Sequence, residues 1–160
     1  RPVQCPLGDT GRRQRSTPCE IPGMIAPDFS KYALALFHGG AMVYSSMNQG
    51  IAPLVECIEA CVPRYRDCLL HDRVIGLAAA KLVVASGMIS SVVAGVSSQP
   101  AVDFLRGRGI PMESGATVPR IMARDGVSLC PMEQRALATA DPDLFFNELR
   151  NFFRNLKEKS

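Results

Sequence analysis

From Val74 to Val96 the chain reads VIGLAAAKLVVASGMISSVVAGV, with Lys81 its only charge. The run is long enough to cross a membrane, so its internal breaks decide the fold. Lys81 falls in the first half, Ser86-Gly87 interrupts the middle and Ser90-Ser91 follow. These residues divide it into an Ala-rich helix, Val74 to Ser86, closed by Gly87, and a strand from Ile89 to Val96. A strand apolar along its whole length is one buried on both faces, as in the sheets of α/β proteins. The stretch therefore predicts a βαβ unit and no membrane span.

Working outward, Tyr32 to Phe37 and Ala41 to Ser46 are strand-like, and His38-Gly39-Gly40 between them is hairpin chemistry. Ile51, Leu54, Val55, Ile58 and Val62 recur at helical spacing, with Pro53 tolerated in the first turn. Cys68 to His71 is a short apolar strand. Beyond Val96, a helix starts near Pro100 and Ile110 to Glu113 forms a further strand. Thr117 and Pro119 suit the start of a short helix ending at Arg124-Asp125-Gly126. Cys130-Pro131-Met132-Glu133 and Asp141-Pro142 open two more helices, with Pro at the first helical position. The last helix carries Phe145, Leu149, Phe152, Phe153 and Leu156 on one face. This order predicts an α/β protein: a three-layer α/β/α sandwich on a mixed sheet, with an antiparallel hairpin and parallel later strands.

Length and composition agree with one domain. The chain has 160 residues, 47% apolar and 21% charged, with a formal charge of +3. Residues 1–23 hold four Arg, four Pro and three Gly without an apolar segment. They read as a disordered basic tail, or as an extension upstream of a natural start at Met24, and 24–160 as the folded domain. Without them 14 basic residues face 13 acidic ones, a net charge of +1. That near-neutrality argues against a nucleic-acid partner, and the composition suits a cytoplasmic protein.

A resemblance then becomes visible. Asp72-Arg73-Val74-Ile75-Gly76-Leu77-Ala78-Ala79-Ala80, Val92 to Ser98 with Pro100-Ala101, Arg124-Asp125-Gly126 and Cys130-Pro131-Met132-Glu133 occur in one order. Together they resemble an uncharacterised bacterial domain-of-unknown-function family grouped with the cytidine deaminase-like fold, over about residues 30 to 154. The resemblance implies that fold but carries no established reaction. Working deaminases hold zinc with a His or Cys and a nearby Glu at one helix start and Pro-Cys-x-x-Cys at the next. Here the corresponding turns are Ile75-Gly76-Leu77-Ala78 and Ser97-Ser98-Gln99-Pro100, followed by Ala101 and Phe104. Neither supplies a thiolate, an imidazole or a Glu, so zinc deamination is not expected and no cofactor is implied.

What remains is a crevice beyond the strand ends, where open α/β sheets bind ligands. Asp72, Gly76, Ser97 and Ser98 would line it, with Arg124 as a further binding group. Free amides at two helix N-termini would favour a small anionic or nucleotide-like ligand. The structural alternatives are a helix cap for Asp72 and close helix–strand packing for Gly76. The catalytic alternative is Cys130, a thiol before Pro131 at the positive end of a helix, with Glu133 and Asp72 as acid/base or positioning groups. His71 or Arg124 would then activate the thiol or stabilise an oxyanion. Equally, Pro131 and Glu133 serve as helix-start chemistry around a buried Cys. A third reading is a protein-interaction scaffold built on the C-terminal helix. Cys57, Cys61, Cys68 and His71 form a soft-ligand group, but their Cys-x3-Cys-x6-Cys-x2-His spacing fits structural thiols better than a metal site.

Overall fold

The structure is a computed structural model and describes residues 25–159. The expectations for residues 1–23, including a start at Met24, lie outside the described residues. Strands β1 (Leu34–His38) and β2 (Ala41–Ser46) form a hairpin, followed by α1 (Ala52–Cys61) and β3 (Cys68–Ile75). Then come α2 (Leu77–Ser86), β4 (Ile89–Ser98), α3 (Gln99–Gly107), β5 (Met112–Val118), α4 (Pro131–Ala138) and α5 (Pro142–Glu158). The sheet order is β2-β1-β3-β4-β5. β1 is antiparallel to β2 and β3, whereas β3, β4 and β5 run parallel. In the hairpin Gly39 and Gly40 both take positive φ (57° and 83°), the tight turn that glycine adopts without steric cost.

Two boundaries move from their sequence positions for physical reasons. β3 continues through Asp72-Arg73-Val74-Ile75, because this central strand pairs with β1 at Asp72 and with β4 up to Ile75. The ladder on both sides claims residues that periodicity assigns to the helix. Residues 119–130 form no helix. β5 runs to Val118, and Met122 bridges Leu129 across a turn in which the Asp125 carboxylate accepts the Val127 and Ser128 N–H groups. Asp125 thus closes a local turn that competes with a helix.

Among the described residues the helices gather on one side of the sheet. Even-numbered Leu34, Leu36, Leu70, Val92 and Ala94 join a core that contains residues of all five described helices. The two parallel crossovers β3-α2-β4 and β4-α3-β5 share one hand, so α2 and α3 lie on the same face. Helix α2 is buried along Leu77, Ala78, Ala79, Ala80, Lys81, Leu82 and Val83, and so needs cover on its outer side as well. α4 packs on α2, and α5 on α1 and α2, with Ala136, Phe145 and Leu149 fully buried. The N-terminal half of the α5 apolar face is thus consumed inside the fold, whereas Phe152 and Phe153 are partly buried and Leu156 is exposed. Phe146 is half-buried against the core beneath the Arg150 guanidinium, 5.5 Å from the ring centre. On the opposite sheet face Tyr32, Ala35 and Phe37 gather with Ile25, Phe29 and Leu69. No described helix is long and apolar enough to cross a membrane.

Candidate functional site

The turn from β3 into α2 leaves the first amides of an apolar helix pointing at the sheet edge, with no local side chain to receive them. Glu133, two residues into α4, receives them instead. Its Oε2 accepts the Leu77 N–H and its Oε1 the Ala78 N–H, each at 2.9 Å. A carboxylate there also meets the positive end of the α2 dipole. Gly76 makes room for it: a Cβ at Gly76 would overlap Glu133 Oε1. The debt runs both ways. Lys81 of α2 is buried and its Nζ donates to the carbonyls of Ala136 and of Thr139 (2.6 Å for the latter), at the end of α4. Burial pushes the Lys81 pKa down, while the Glu133 charge opposes that shift. Helices α2 and α4 thus cap one another.

The second crossover turn is satisfied locally. Ser98 is the N-cap of α3, its Oγ accepting the Ala101 N–H at 3.3 Å. Ser97 Oγ donates to Ser114 Oγ at 2.9 Å, and Ser97 and Ser98 are both fully buried. The anion sites expected at the two helix starts are therefore filled from within the chain.

Between the β3–α2 turn, the β2–α1 loop and the start of α4 lies a cavity of about 290 Å³. Its walls are largely apolar, including Leu34, Ile51, Val74, Ala78 and Met132, and Asp72, Asn48, Gln49 and Cys130 also line it. Asp72, on the helix side of β3, accepts the Val74 N–H at its Oδ1 (3.3 Å). Burial raises its carboxyl to about 7, against the opposing pull of the Val74 and Arg73 amides and the Arg73 charge. Arg73 directs its guanidinium to the Phe29 carbonyl across the sheet. Among the described residues, no Lys or Arg forms an ion pair with Asp72.

Of the sequence candidates, Asp72, Gly76, Cys130 and Glu133 share this cavity; Ser97, Ser98 and Arg124 do not line it. Arg124 is exposed in the 119–130 loop. Cys130 is half-buried at the N-cap of α4 and its side chain makes no cap bond. Both Glu133 oxygens are engaged by α2. Asn48, Gln49 and Gly50 also line the cavity, and their one signal in the sequence is a polar, Gly-ended turn just before an apolar helix. The thiols of Cys57, Cys61 and Cys68 lie in the helix-side core, and burial raises all three. His71 lies on the other face of the sheet, its Nδ1 2.7 Å from the Tyr32 hydroxyl and its ring 4.6 Å from that of Phe37. The sheet separates it from the thiols, so these four do not form a ligand set. Nor does the zinc of working deaminases fit here. Neither crossover turn offers a thiolate or imidazole, and the Glu133 carboxylate at the α2 start is bound to backbone amides.

Fold and site together define an α/β domain on a mixed sheet, with an acid-bearing apolar cavity beside a helix capped by a distant carboxylate. The chain belongs to the family described as TM1506, domain of unknown function (DUF1893), whose model matches residues 28–153. Its fold is similar to the crystal structure of a DUF1893 family protein (TM1506) from Thermotoga maritima, with a TM-score of 0.66. That likeness covers 76% of this chain and 81% of the other at 24% identity. None of the curated proteins matches the chain.

Proposed function

We propose that this is a deaminase-like domain that binds a small organic molecule in the Asp72 cavity without zinc chemistry. The antiparallel hairpin followed by two parallel βαβ units supports the deaminase-like reading. The observation that carries ligand binding is the cavity itself. It sits beyond the end of β3 with apolar walls and a few convergent polar groups, at the small end of ligand sites, which run from about 300 to 1,000 Å³. Because Glu133 already occupies the α2 start at this cavity, the ligand is nucleotide-like in a planar base portion rather than in a phosphate.

Thermal unfolding in the presence of nucleobases, nucleosides and small carboxylates tests this. A rise in Tm with heterocycles supports the proposal, since a ligand of the native state stabilises it by mass action. No rise with any of the three classes would reject it. The thiol-enzyme reading keeps one supporting observation: Cys130 lines the same cavity as Asp72. It predicts turnover that Cys130→Ser abolishes, with Glu133 acting as a structural cap and not as the acid/base partner.

A further inference from the structure

The chemistry of the cavity is one-sided. Asp72 is bonded to backbone amides of its own strand end, and the nearest guanidinium, Arg73, is drawn away to the Phe29 carbonyl. The other carboxylate at the cavity, Glu133, is held on the Leu77 and Ala78 amides. Asn48, Gln49 and Cys130 are uncharged polar residues of the lining; Arg73 also belongs to it, but its guanidinium is engaged by the Phe29 carbonyl. A carboxyl half-removed from water, walled by Leu34, Ile51, Val74 and Met132, meets backbone amides but no side-chain donor among the described residues, and a ligand would supply one. An anion would meet two carboxyl groups, those of Asp72 and Glu133.

We propose that the cavity selects a small planar ligand presenting an amidine-type edge, an amino group beside a ring or amidine nitrogen, to the Asp72 carboxyl. This deepens the ligand-binding reading and rests on it. Two parallel hydrogen bonds join such an edge to a carboxyl group, and their geometry survives either location of the shared proton. A carboxyl raised to about 7 sits where both locations are populated near neutrality. The apolar walls cover the ring faces.

Benzamidine and 2-aminopyridine serve as probes, with benzamide and benzoate as matched controls, measured by calorimetry on the full chain. Benzamidine or 2-aminopyridine is expected to bind at least tenfold more tightly than benzamide, with benzoate weakest. Asp72→Asn, which preserves shape, is expected to lose that tenfold preference. Bound benzamidine is also expected to slow alkylation of Cys130, which shares the cavity, and this readout needs no variant. Equal binding of the probes and controls, an unchanged preference in Asp72→Asn, or unaltered Cys130 alkylation at saturating benzamidine would each overturn the amidine assignment. If heterocycles in the broader thermal panel still bind, the ligand-binding reading survives that failure. If neither they nor the probes bind, both fall.

Discussion

The two crossover turns of the sheet, Ile75-Gly76-Leu77 and Ser97-Ser98-Gln99, perform the same task by opposite means. Each leads from a parallel strand into a helix and leaves that helix's first amides at the same sheet edge. At α3 a serine in the turn accepts an amide three residues on, so the cap is complete within one turn of chain. At α2 the cap comes from Glu133, 55 and 56 residues away, and the turn contributes only the missing Cβ of Gly76. Local capping makes a helix start self-sufficient. Capping at a distance ties it to another helix and places a carboxylate beside the cavity.

Substitutions can break this contrast, beginning with its distant half. Glu133→Ala strands two buried amides and removes the charge facing Lys81, and is expected to cost about 4 kcal/mol in chemical denaturation. A loss under ~1 kcal/mol would show the cap to be dispensable. Gly76→Ala drives a methyl group into the Glu133 carboxylate and is expected to cost about 3 kcal/mol. Combined with Glu133→Ala it should cost little more, because the clash then has no partner.

Asp72 sharpens the comparison through pH. Its folded-state value, about 7, lies above the ordinary 3.8, so the folded chain holds the proton longer than the unfolded one. The stability this gives is fully present below about pH 4 and is lost as pH rises through about 7. Allowing for its partial exposure, the decline is expected to be about 2 kcal/mol. Stability curves of Asp72→Asn should lack it; the same slope in both proteins would assign it elsewhere. The smallest effect belongs to the local cap. Ser98→Ala is expected to cost about 1 kcal/mol, and to leave the pH dependence and the ligand preference unchanged.

The same contrast explains how much of the molecule its sequence discloses. Features written in adjacent residues are legible: the Gly39-Gly40 hairpin, the stop at Gly87, and the starts at Pro131 and Pro142. The strand and helix within Val74 to Val96 are legible too, because their period and breaks are local. The extension of β3 to Ile75 is not, since ladder bonds to β1 and β4 set it. Nor does the sequence disclose that α4 and α5 cover α2 instead of the far sheet face; that follows from α2 being apolar all round in three dimensions. For the site, Asp72, Gly76, Cys130 and Glu133 can be singled out from residue type and position. Their partnership cannot. Cys130 and Glu133 look like a pair because they are three residues apart, yet Glu133 belongs to α2. Asn48 and Gln49 reach the cavity only through the folding of a loop.

Mutual capping of α2 and α4 has a consequence for how the protein is made. During synthesis the chain emerges N-terminus first, and α2 is out long before Pro131 to Thr139. Until that segment arrives, the α2 start lacks its acceptors and Lys81 has no carbonyls to meet. The central helix of the domain can therefore reach its native state only late. A nascent chain halted before residue 131 would expose an Ala-rich apolar helix that a chaperone must shield, and the emergence of α4 and α5 would complete the fold in one cooperative step.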